Sequence, residues 1–227
     1  MSIEIWLAGF LFLLILVLQV VMAIFGYILE PMPKHYESDA KLLEINKKQK
    51  KFQIGVGFAL IEHICVVLLA IMLFLVMNPY NMMLGLICII FRTGEGLIQV
   101  YIEKDYWGLL NIARKYSVTS DKEKKSLSES YHSILKTKSF RFAFAMVCWS
   151  IGTLSFSIVL VIHDITHPFI GWLGLIASIF IGFTNVIKLV KPDSKVYQIL
   201  SSIGGLMSIT FEILIGISLM FFPPIIS

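Results

Sequence analysis

Six runs of about 20 apolar residues dominate this 227-residue sequence, and they decide what it can fold into. Hydrocarbon offers backbone amides no water to bond, so a spanning segment must be a helix or belong to a closed barrel. A helix rising about 1.5 Å per residue needs about 20 apolar residues to cross about 30 Å of hydrocarbon. The runs lie at about Ile5 to Leu29, Gln53 to Met77, Met82 to Ile102, Phe140 to Ile162, Phe169 to Val190 and Val196 to Phe222. A tight Asn78-Pro79-Tyr80-Asn81 turn joins the second to the third. No Lys or Arg precedes the first run and no small-x-small cleavage site follows it, so it is expected to stay as a membrane helix.

Composition agrees: 57% of residues are hydrophobic, 15% are charged, and the mean hydropathy is +0.84. These values exclude a water-soluble globule, a disordered chain and a nucleic-acid binder, whose charge must lie on an exposed face. The expected fold is an all-α integral membrane six-helix bundle, with residues 1–227 forming a single membrane domain. Cys65, Cys88 and Cys148 all fall inside apolar runs, which argues against a disulfide framework and reads as buried packing.

Lys and Arg indicate orientation, because short cytoplasmic loops retain them. Lys34, Lys41, Lys47, Lys48, Lys50 and Lys51 lie between runs one and two. Lys104, Arg114, Lys115, Lys122, Lys124, Lys125, Lys136, Lys138 and Arg141 lie between, or just inside, the facing ends of runs three and four, and Lys188, Lys191 and Lys195 those of five and six. Eighteen of the 19 basic residues thus share one side, so both termini are expected outside, in a plasma-type membrane. The basic face, rather than any nucleic acid, accounts for the net charge of +4 by meeting anionic lipid head groups. No protein partner is specified.

The long third-to-fourth segment has its own pattern. Ser120-x-x-Glu123 reads as a capping box. Leu127, Tyr131, Ile134 and Leu135 then form one apolar stripe, and Tyr106, Leu109, Leu110 and Ala113 form another before it. Two short amphipathic helices at the inner face, over about residues 105–138, are expected. Trp6, Trp107, Trp149 and Trp172 lie within a few turns of run ends and are expected in the aromatic belts.

Ionisable residues inside the runs are the candidate site. Arg92, Glu95 and Gln99 share one helical face in run three, run two carries Glu62 and His63, and run six carries Glu212. A charge at the bilayer centre costs at least about 2.5–3.5 kcal/mol, so these groups must face one another or water. Depth arithmetic places Glu62, Arg92 and Glu95 at roughly 10–15 Å from the inner ends and Glu212 at roughly 20–24 Å. Arg92 is therefore expected to pair with Glu95 and Glu62, while Glu212 needs a bridging water or an extended Arg92. Three carboxylates sharing one obligate cation leave three readings open: a small-solute or proton-coupled site, polar glue between helices of a structural or partner-binding subunit, and a membrane-embedded hydrolase.

His163, Asp164 and His167 are weak candidates for a metal, with a solvated loop the simpler reading beside Pro168. Asn185 reads as a polar packing residue and Lys188 as a snorkelling one. Gly174, Ser178 and Gly182, and likewise Ser201 and Gly205, read as close helix contacts. No P-loop, Rossmann fingerprint, Ser/His/Asp set or HExxH is present in the sequence. No cofactor and no catalytic residue is indicated.

Phe91-Arg92-Thr93-Gly94-Glu95-Gly96 in one run and Gly171-Trp172-Leu173-Gly174-Leu175-Ile176 opening another permit one comparison. Over most of its length the chain resembles a broad family of prokaryotic polytopic proteins built on a domain of unknown function. The resemblance implies an all-helical membrane bundle and draws attention to Arg92 and Glu95. It implies no substrate.

Overall fold

The computed structural model describes residues 2–25, 35–191 and 195–222. Its helices are α1 (Ile3–Ile24), α2 (His35–Lys47), α3 (Gln49–Met77), α4 (Met82–Tyr116), α5 (Asp121–Ile162), α6 (Pro168–Val190) and α7 (Lys195–Phe221). All but α2 contain a stretch long and apolar enough to cross a membrane. The chain is thus a multi-pass integral membrane protein with an all-α fold. Leu29, the expected end of the first span, and Lys34 lie outside the described residues.

Local chemistry sets the turns at one end of the bundle. Asn81 caps α4, its side chain accepting from the Leu84 amide at 3.0 Å. Pro168 opens α6, where a missing N–H costs no intrahelical bond. We call this the neutral end, and the opposite one, where the Lys- and Arg-bearing segments lie, the basic end.

The six spans pack in chain order, α1 on α3, α3 on α4, α4 on α5, α5 on α6 and α6 on α7, and α7 returns to α1. They make a ring whose two ends are filled differently. Towards the neutral end Phe12, Leu69, Leu73, Phe156, Leu160, Phe211 and Ile215 pack into one core. Phe12 is central, with ring centroids 6.3 Å from Phe156 and 6.5 Å from Phe211. At the basic end Leu42, Tyr106, Leu109, Ala113 and Tyr131 form a second core. The polar residues lie between the two.

The two short inner-face helices expected between residues 105 and 138 are not separate elements. α4 runs on to Tyr116 and α5 begins at Asp121, so both stripes ride on extensions of spanning helices. With 35 and 42 residues these helices are about 52 and 63 Å long, well beyond the hydrocarbon thickness. Neither Gly nor Pro separates run three from its stripe, and Tyr106 falls seven residues after Gln99, so the buried face continues unbroken. Ser120 is the N-cap of α5 as expected, but its side chain makes no capping bond. The Thr119 hydroxyl instead donates to Glu123 Oε2 at 3.0 Å.

Unexpected from the sequence is α2, which packs across these extensions. Leu42 is its fully buried anchor. Ser38 shares a 2.7 Å hydrogen bond with His132, and Ser128 donates to Asp39 Oδ1 at 3.0 Å. On its outer face the hydrogen bond from Lys48 holds the Glu44 carboxyl below its ordinary range.

Candidate functional site

α4 supplies the axis of the site. Arg92, Glu95, Gln99 and Glu103 recur every three or four residues, so one helical face carries all four into the ring. All are buried, Arg92 and Glu95 at 3% exposure each and Glu103 at 1%. Arg92 Nη1 donates to Glu95 Oε2 at 2.7 Å, and Gln99 Nε2 donates to Glu95 Oε1 at 3.1 Å. The guanidinium carbon stands 5.8 Å from the ring centroid of Trp149 on α5. One turn further along α5, Gly152 makes room for the arginine stem: a Cβ there would lie 2.6 Å from Arg92 Cγ.

α3 presents Glu62 and His63 to different neighbours, because successive helical residues point about 100° apart. Glu62 Oε1 accepts from Gln19 Nε2 of α1 at 3.1 Å. His63 has one ring nitrogen on each of two carboxylates: Nδ1 pairs with Glu62, and Nε2 shares a 3.2 Å hydrogen bond with Glu103 Oε1. Gly96 lets α3 come this close, since a Cβ there would meet Val67 at 2.7 Å and the His63 carbonyl at 3.2 Å. The expected Arg92–Glu62 pair is therefore corrected. Glu62 belongs with Gln19 and His63, because equal depth does not fix the direction in which a side chain points.

Glu212 on α7 needs no bridging water to find a partner. Trp149 Nε1 donates to its Oε1 at 3.2 Å. Trp149 is consequently no belt residue: it is buried, while Trp107 and Trp172 are exposed. Arg92 and Glu212 thus meet the same indole, one over its face and the other at its N–H. A cavity of about 490 Å³ brings the candidates together, lined by Gln19, Glu62, His63, Arg92, Glu95, Gln99, Glu103, Lys138, Trp149, Asn185, Ser201, Ser208 and Glu212, among others. Every spanning helix contributes to it. Glu212 is only partly buried, in contrast to Arg92 and Glu95.

The other candidates resolve individually. His163 caps α5 and its ring lies tilted against that of Tyr80, centroids 5.1 Å apart, while the His167 side chain accepts from the Phe169 amide at the start of α6. Asp164 lies between them at φ 47°, so the stretch is a turn that does not present the two histidines on one helical face. Among the described residues no three His, Cys, Asp or Glu side chains group to hold a metal. Asn185 donates to the Ile181 carbonyl at 2.8 Å, and Lys188 reaches the rings of Phe142 and Tyr197. Gly174 and Gly182 are close contacts: a Cβ at either would lie 2.3 Å from a serine Oγ of α5, Ser157 and Ser150 respectively. Ser178 joins them through its carbonyl, which accepts from Ser150 Oγ at 2.6 Å. Gly205 is corrected, for its Cβ would meet nothing within 4 Å, whereas Gly204 next to it faces α6. All three cysteines are free and buried.

Sequence reasoning missed Gln19, Glu103, Lys138 and Trp149. Glu103 had a signal, four residues after Gln99 on the same face, and Gln19 is the lone strongly polar residue of run one. Trp149 had none, because nothing local separates a buried indole from an interfacial one.

Fold and site together define a polytopic, all-helical membrane protein with a central cavity lined in part by ionisable side chains. The chain belongs to the family described as Domain of unknown function (DUF4386), whose model matches residues 7–222. No curated protein and no solved structure matches it.

Proposed function

We propose that the chain acts as one membrane unit that binds a small solute in the central cavity and couples its binding to a proton at Glu212. The observation that supports this reading is the cavity itself, to which every spanning helix contributes ionisable or polar groups or the walls between them. A buried polar interior needed only for packing would leave no such volume, since interiors close-pack. In this reading the protein lies in the plasma membrane with both termini outside, and its basic end meets anionic head groups. The Phe12, Phe156 and Phe211 core then seals the cavity from the outer side.

Infrared difference spectra across a pH titration of the purified protein test the proton step. A protonated-carboxyl band is expected to appear and disappear, and Glu212→Gln is expected to remove it while helical content persists. No such band, or a band that survives Glu212→Gln, would sink it. A second reading, polar glue in a non-catalytic subunit, is favoured by the inter-helix bonds Gln19–Glu62 and His63–Glu103. It requires the spectra to be silent.

A further inference from the structure

α1 and α7 touch closely towards the neutral end. At Gly9 a Cβ would lie 2.8 Å from the Gly216 carbonyl, and at Gly216 one would lie 2.8 Å from Leu13. Ten residues further along α1, about 15 Å nearer the basic end, both helices line the cavity instead, through Gln19 and Ala23 on one side and Ser201, Gly205 and Ser208 on the other. Gln19 and Ala23 are exposed although they line it, and space is open at Gly205. From Ile199 to Thr210, Gly204 is the one residue of α7 that is buried, and it faces α6. The cavity thus reaches the bundle surface along the seam between α1 and α7, within the apolar stretch of each helix.

The charges along the cavity are not evenly matched. Arg92 is bonded to Glu95, His63 stands between Glu62 and Glu103, and Lys138 lies within electrostatic reach of Glu103. Glu212 has the Trp149 indole N–H, and among the described residues no Lys, Arg or His forms an ion pair with it. Arg92 acts on it through space only. Of the carboxylates that line the cavity, Glu212 is the one only partly buried. A partly buried carboxylate with no ion-pair partner suits an ammonium group, which gains from the anion. An apolar exit through the seam suits an alkyl chain.

We propose that the cavity binds a single-chain cationic amphiphile, with its ammonium head at Glu212 beside Trp149 and its tail leaving between α1 and α7. This rests on the solute-binding reading above and names its ligand class. The test uses the full chain in nanodiscs with Ser208→Cys as reporter, the native cysteines being buried. Dodecyltrimethylammonium is expected to slow maleimide labelling of that thiol, while dodecyl sulfate and tetramethylammonium at equal concentration do not. Adding Glu212→Gln is expected to weaken the protection roughly 10- to 100-fold, and Glu212→Asp to retain most of it. Circular dichroism confirms that each variant is folded. Labelling without protection would overturn the ligand class and leave the solute reading standing. Equal protection by dodecyl sulfate would overturn the cationic head, and equal protection by tetramethylammonium the tail. A thiol that never labels would take down the water-accessible cavity and this proposal with it.

Discussion

Arg92 is the residue whose environment depends most on its neighbours, because a guanidinium stays charged and must be matched wherever it is buried. Glu95 matches it, Trp149 covers it, and Gly152 leaves space for its stem. Removing Arg92 leaves Glu95 buried with only Gln99 as donor, and an uncompensated buried partner costs about 3–5 kcal/mol. Arg92→Leu is therefore expected to lower the thermal unfolding temperature in detergent sharply. Adding Glu95→Gln should recover part of the loss, a non-additivity that marks a direct pair. Glu62→Gln should recover nothing in the same background, because Glu62 is bonded to Gln19 and His63. Rescue by Glu62→Gln rather than Glu95→Gln would refute the pairing.

At the scale of elements, the bundle depends on glycines that let helices approach. Gly174 on α6 sits where a Cβ would lie 2.3 Å from Ser157 Oγ and 2.5 Å from the Phe211 ring, so three helices converge on it. Gly174→Ala is expected to destabilise by about 1–3 kcal/mol through overpacking. Gly205→Ala should do the opposite, gaining about 0.5–1 kcal/mol of helix propensity with no clash, since nothing lies within 4 Å. Thermal melts of the two variants side by side decide the matter, and a loss at Gly205 comparable to that at Gly174 would contradict the seam between α1 and α7. The extensions of α4 and α5 show how an element can be misjudged from local signals. Their stripes were legible as amphipathic, but only α2 and the pairing of Tyr106 and Tyr131 in one core show what they are buried against.

For the whole molecule, the distribution of 18 basic residues on one side predicts topology. Cysteines placed at Ser2 and at Asp164 are expected to react with an impermeant thiol reagent outside sealed cells, and one at Ser126 is not. Labelling at Ser126 would invert the assignment. The sequence alone determined the class, the number of spans and most of the charged residues that end up inside, because hydropathy and helix length are properties of contiguous residues and lipid tolerates few alternatives. It also determined which side chains share a face of α4, since that follows from 3.6 residues per turn. Partners were decided by the tertiary structure. That Glu62 turns to Gln19 and His63, that Trp149 leaves the interface to bind Glu212, and that Gly204 rather than Gly205 meets α6 all depend on how each helix is rotated about its axis. That rotation is set by contacts among all six spans at once, and in helices that are apolar on nearly every side no local pattern specifies it.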